Sequence, residues 1–187
     1  MANPPHPAPR EPGALWLLGL SILCAAAAAT LLLTGHPAAG GAAGLVASIA
    51  CFAANNVTGG RATFALGAAG PLIDAAVLAP IAWSFRTDDT TVAALALATL
   101  GAALVGSYER ARASALGYRT RRTAWLALVR RALPAAGLIA GGRWLTASLW
   151  AALGLAVLTL SVRAVGIVVQ ERGRARASAG VTTEATP

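Results

Sequence analysis

Among the ionisable residues of this chain, one carboxylate has to be explained before any other. Asp74 lies inside an apolar stretch running from about Phe64 to Phe85. At the centre of a membrane-spanning helix an aspartate costs on the order of 2.5–3.5 kcal/mol on insertion scales. It therefore needs a partner, a water-filled cavity or an ion. Two chemistries are open to it: ligand to a cation or substrate group, or structural counter-ion to a buried arginine. Arg130 and Arg131 interrupt a second apolar stretch, Thr123 to Ala140. They sit about 10 Å from its start at 1.5 Å per residue, within reach of the interface by snorkelling or placed to line a phosphate pocket between helices. Arg61 follows Gly59 and Gly60, where the backbone allows a ligand close approach. Its guanidinium suits an anionic head group or phosphate, or is an ordinary basic residue of a cytoplasmic loop. Asn55 and Asn56 end the preceding apolar run and offer amide oxygens or a helix-end cap. Cys24 and Cys51 both lie in apolar runs and read as small buried hydrophobes. His6 and His36 fall in a tail and a loop, and no glycine-rich phosphate loop precedes a helix.

These residues are set in a chain of 187, of which 57% are apolar and 12% charged, with a mean hydropathy of +0.65. A soluble domain carries roughly 25% charged residues. Disorder over most of the length is excluded, since disorder needs low hydrophobicity and high charge. The composition argues for a polytopic membrane protein rather than a soluble globular enzyme. All 15 basic residues are arginine, and the formal net charge is +8. The arginines fall between apolar runs, not on a basic face with aromatic neighbours. Anionic lipid head groups account for them better than nucleic acid does. The preference for arginine and alanine fits a GC-rich bacterial genome.

The expected architecture is all-α, with six transmembrane helices. Residues 1–13 hold five prolines and read as a disordered cytoplasmic tail. The uncharged run Ala14 to Leu33 is long enough to cross a hydrocarbon core of about 30 Å. Its Pro-rich, nearly neutral leader argues against a signal peptide. A Gly/Pro turn is expected over Gly35 to Gly41. Further spans follow at about 42–57, 64–85, 91–108, 123–140 and 144–169, and Gly137-x-x-x-Gly141 suits small-residue packing between helices. Residues 14–169 thus form one transmembrane domain, and 170–187 read as a disordered basic tail. Six spans put both termini on one side. That side carries ten loop arginines (10, 61, 110, 112, 119, 121, 122, 172, 174 and 176) against two, Arg86 and Arg143, on the other. The positive-inside rule then places both termini in the cytoplasm of a bacterial inner membrane.

Two segments resemble the integral-membrane CDP-alcohol phosphatidyltransferases. Their pattern, D-x2-D-G-x2-A-R-x8-G-x3-D-x3-D, aligns here as Ala53-x2-Asn56-Val57-x2-Gly60-Arg61-x8-Gly70-x3-Asp74-x3-Leu78. The arginine, the second glycine and the third aspartate match in spacing. Ser107-Tyr108-Glu109-Arg110-Ala111-Arg112-Ala113 to Gly117 is similar to the end of the fourth span in the inositol-phosphate type, and Arg119 and Arg122 open the next segment. The resemblance covers roughly residues 15–168. It implies the family's six-helix bundle, dimer formation, and transfer of a phosphatidyl-type group from a CDP-linked donor to an alcohol in phospholipid biosynthesis. It also implies a binding site for an anionic or CDP-linked lipid at Asn56, Gly60, Arg61, Gly70, Arg112 and Arg122, with Asp74 as the surviving metal-binding acid.

The chain departs from the pattern at the metal site. Ala53, Asn56 and Leu78 replace three of the four aspartates, and Val57 replaces the glycine after the second. The resemblance therefore implies a degenerate member without transferase activity, paired with itself or with another membrane protein. Mg²⁺ is expected only if a partner or unrecognised ligands complete the site. Two alternatives stand beside it. One is a transferase whose metals come from a partner subunit. The other is a small transporter or structural membrane protein with an accidental likeness.

Overall fold

The computed structural model describes residues 12–57, 64–118 and 124–183. It is all-helical: α1 Pro12–Leu33, α2 Pro37–Val57, α3 Phe64–Ser84, α4 Thr90–Ala115, α5 Ala124–Ala140 and α6 Arg143–Thr183. Five of these, all but α5, are long and apolar enough to cross a membrane.

Local chemistry sets the helix ends. At the end of α1, Gly35 takes φ +84°, and the His36 and Gly35 amides donate to the Leu31 and Leu32 carbonyls at 2.8 and 3.3 Å. This is the six-to-one, five-to-two closure that favours glycine at that position. Pro37 then opens α2, where its missing N–H is not needed. The expected turn over Gly35 to Gly41 is therefore shorter, and Gly40 and Gly41 are helical. Asp89 caps α4, its carboxylate accepting from the Thr91 and Val92 amides at 3.0 and 3.1 Å. The Gly141–Gly142 turn has positive φ at both residues. Gly141 thus serves the turn and not helix packing.

Two helices run past their expected ends. α4 continues to Ala115, through the basic stretch. α6 continues to Thr183, so residues 170–183 are helical rather than a disordered tail. No proline interrupts 143–183, and alanine and arginine are strong helix formers. The expected disordered tail at 1–13 lies, up to residue 11, outside the described residues, as do 184–187.

The helices close a ring in the order α1, α2, α5, α6, α4, α3. In addition, α3 touches α2 and α5 across the ring. Glycines make the tightest approaches. A Cβ on Gly41 would overlap the Ala135 carbonyl of α5, and one on Gly44 would lie 3.0 Å from Val77 of α3. α2 is thereby drawn against both. At the end with the short loops the interior is filled by Leu32, Ile81, Leu95, Leu138, Leu145 and Leu149. α4 and α5, consecutive in sequence, do not pack against each other among the described residues, and space opens between them at the opposite end.

The polarity of this bundle is that of a membrane protein. Large apolar side chains face outward on every helix, among them Leu23, Ile49, Leu72, Leu97, Val129 and Val165. Among the described residues the fully buried polar ones are Ser21, Ser48, Asp74 and Thr99. The Ser48 and Thr99 hydroxyls donate back to their own helix, to the Gly44 carbonyl at 2.8 Å and the Leu95 carbonyl at 2.7 Å. Exposed tryptophans sit near both ends, Trp16 and Trp125 at one and Trp83 and Trp144 at the other, as in an interfacial aromatic belt. The Arg86 guanidinium lies 3.9 Å over the Trp83 ring.

Candidate functional site

Asp74 falls midway along α3, on the face turned to α5. Its side chain is 2% exposed, and both oxygens are engaged. Arg130 Nη2 donates to Oδ2 at 2.7 Å and Arg131 Nε donates to Oδ1 at 3.1 Å. The two arginines are themselves 11% and 13% exposed. Of the two chemistries open to Asp74, the structure holds the second: counter-ion to a buried arginine pair. One carboxylate against two guanidiniums leaves the triad with an excess positive charge.

Gly70, one turn before Asp74, makes this arrangement possible. A Cβ there would overlap the Arg131 guanidinium, so a side chain at position 70 would deny Arg131 its seat. Pro134, one turn after Arg130, lines the same pocket together with Ser48, Ile73, Val77 and Leu78; the pocket has about 240 Å³ of empty space, its opening included.

A second and larger cleft, about 370 Å³ with its mouth, lies where α4 and α5 stand apart. Each of three helices contributes a stripe at helical spacing. α4 supplies Ala103, Gly106 and Arg110; α5 supplies Leu126, Ala127 and Arg130; α6 supplies Ala156, Thr159, Leu160 and Arg163. The missing side chain at Gly106 lets α6 come close, with Leu160 3.5 Å and Arg163 Nη1 4.0 Å from where a Cβ would stand. Arg110, which is exposed, Arg130 and Arg163 thus border one cleft, and among the described residues no carboxylate lines it. Arg131 is near enough to add its field at Arg110, and Glu109 near enough to attract Arg163. Arg130 borders both spaces.

The remaining expected site residues are not gathered here. Asn56 is exposed at the end of α2, about 12 Å along the helix from Ser48, the α2 residue beside Asp74. Asn55 Nδ2 donates to the Cys51 carbonyl, one turn back along α2, at 3.0 Å. Arg112 is exposed and lines neither space. It stands two residues from Arg110, about 200° around α4 at 3.6 residues per turn, so the two cannot face one cleft. Gly60, Arg61 and Arg122 lie outside the described residues. Arg110 and Arg163 line the cleft and Arg112 does not. Their signal was present in the small residues at Gly106 and Ala156, which fall on the same stripes.

Among the described residues no three histidine, cysteine, aspartate or glutamate side chains come together. Comparisons of the chain with family models, with characterised proteins and with solved structures gave no match.

Proposed function

We propose that this chain is a six-span bacterial inner-membrane protein, with both termini cytoplasmic and a bundle like that of the CDP-alcohol phosphatidyltransferases, that binds an anionic lipid without the family's metal-dependent transfer. The observation that carries this reading is the Asp74–Arg130–Arg131 triad. The acid that the resemblance assigns to a metal is committed to two guanidiniums.

The residues at the metal positions do not fit a divalent cation. Ala53 and Leu78 carry no donor, Asn56 has one neutral oxygen and is exposed, and each Asp74 oxygen accepts from an arginine. Mg²⁺ demands several oxygens in near-octahedral geometry. Arginine can instead neutralise a phosphate directly, through two-pronged charge-assisted hydrogen bonds. The net positive triad is suited to a CDP-linked or other anionic lipid. The sixth span is α5. Its 17 residues reach about 25 Å, short of a full core, and local thinning of the bilayer accommodates the difference. Its two arginines turn inward to Asp74, leaving Trp125, Val129 and Ile139 exposed on its outer face.

The test is binding of CDP-diacylglycerol to the purified protein in detergent, by native mass spectrometry, with Mg²⁺ and with EDTA. Equal binding in both, weakened in Arg131→Gln, is expected. Binding that requires Mg²⁺ contradicts the reading, as does no binding at all.

A further inference from the structure

The apolar surface of α6 runs on past the level at which its neighbours turn polar. Its apolar stretch, Arg143–Arg172, has 30 residues. At 1.5 Å per residue that is about 45 Å, against a hydrocarbon core of about 30 Å. The hairpin of α5 and α6 gives the level at which the core ends. Gly137 lies against Leu145 and Ser148, so Trp125 of the aromatic belt, about three turns earlier on α5, stands level with the stretch from Val157 to Leu160. Gly106 of α4 lies against Leu160, and α4 continues from there as Ser107, Tyr108, Glu109 and Arg110. α6 instead continues with Val162, Val165, Val168 and Val169, and Val169 lies roughly 15 Å beyond the belt. Acyl chains do not reach that far, yet Val162, Val165 and Val169 are each 63% exposed.

These side chains keep a strict spacing. Leu158, Val162, Val165 and Val169 recur at four, three and four residues, the d, a, d and a positions of a heptad. Arg163, Gly166, Ile167 and Gln170 are half-buried toward the bundle, and among the described residues nothing covers the stripe. Toward the membrane the same face continues through the exposed Ala151 and Gly154, with open space beside Gly154, where small side chains let a neighbouring helix come close.

We propose that this stripe pairs α6 with α6 of a second copy of the chain, as a short parallel two-stranded coiled coil on the side assigned to the cytoplasm. Insertion fixes every copy in one orientation and at one depth. Two copies therefore present the same stripe at the same height, and a two-fold axis along the membrane normal sets each position against itself. Valine at both a positions, with Leu158 at a d position, suits two strands. The flanking e and g positions are Thr159, Ser161, Gly166 and Val168. They carry no charge, so nothing repels an identical helix and nothing selects a charged foreign one. Arg172 occupies the next d position and ends the seam. None of the residues that carry the family resemblance lies on the stripe, and the pairing is independent of the lipid reading.

The test is oxidative cross-linking of single introduced cysteines in native membranes, with copper–phenanthroline, read on non-reducing gels. Val162→Cys, Val165→Cys and Val169→Cys are compared with Ala164→Cys, exposed but off the stripe, and Ile167→Cys, half-buried toward the bundle. The unsubstituted chain gives the background, since Cys24 and Cys51 pack within α1 and α2. Positions 162, 165 and 169 should yield a species of twice the 18.7 kDa chain mass, and positions 164 and 167 only background. Light scattering in mild detergent should count two copies for the wild type and for Ala164→Asp. Val165→Asp should weaken pairing at least about tenfold, because like charges then face each other in the seam. Equal size-exclusion recovery of the two aspartate variants reports that both fold. The proposal is overturned by a single copy in the wild type, by equal cross-linking at all five positions, by two copies with no cross-link at 162, 165 and 169, or by cross-links to another protein in place of the chain itself. Absence of CDP-diacylglycerol binding would remove the preceding reading and leave this one standing.

Discussion

Asp74→Ala strips a buried carboxylate from two guanidiniums and leaves both arginines inside the bundle. The size of the effect follows from the geometry. Two charge-assisted bonds, at 2.7 and 3.1 Å, are each worth about 1.5–3 kcal/mol. Removing one partner of a buried ion pair costs about 3–5 kcal/mol, because the remaining charge is stranded. The first route gives about 3–6 and the second about 3–5 kcal/mol, so a loss of roughly 3–5 kcal/mol satisfies both. The sharper test is the triple substitution Asp74→Leu with Arg130→Met and Arg131→Met. Replacing a whole buried ionic group by apolar side chains of similar volume is close to neutral or stabilising. The triple variant should therefore recover to within about 1 kcal/mol of the wild type or exceed it. SDS-driven unfolding in mixed micelles, followed by the fluorescence of the five tryptophans, measures both. The reasoning fails if Asp74→Ala costs less than about 1 kcal/mol, or if the triple variant is no more stable than the single one.

Two glycines give further tests of how the site is positioned. Gly70→Ala puts a methyl where the flexible end of Arg131 lies. Its stability cost should stay below that of Asp74→Ala, and it should be non-additive with Arg131→Met in a double-mutant cycle, because both remove the same contact. Gly137→Ala meets Ser148 Oγ and, at 3.0 Å, the Leu145 Cα. It should cost about 1–3 kcal/mol by overpacking, and adding Ser148→Ala should rescue only part of that loss, since backbone remains in the way.

Much of the bundle is legible in the sequence because the bilayer restricts the options. Apolar runs of sufficient length, broken at Gly35, at Arg86 to Asp89 and at Gly141-Gly142, mark five of the helices and their turns. The need for a partner at Asp74 is legible for the same reason: an unpaired carboxylate cannot be left in an apolar stretch. The identity of that partner is not. Asp74 and the Arg130–Arg131 pair are separated by more than fifty residues, and they meet only because the glycines of α2 let α3 and α5 close around it. The choice between Arg110 and Arg112 was likewise hidden. A linear motif contains both, and only the rotation of α4 decides which one faces the cleft. The helical course of 170–183 is not legible because a polar, arginine-rich composition resembles that of a disordered tail, although nothing in it prevents a helix from continuing.

The central claim is that Asp74 serves as a counter-ion to two arginines and not as a metal ligand. Mn²⁺ substitutes for Mg²⁺ at oxygen sites and broadens the NMR signals of nearby nuclei, so titrating it against protein carrying a 13C-labelled aspartate carboxyl pool, assigned by Asp74→Asn, measures this directly. An Asp74 held by Arg130 and Arg131 keeps a sharp signal at Mn²⁺ concentrations that broaden the exposed loop residue Asp88. Selective broadening of Asp74 before Asp88 would contradict it.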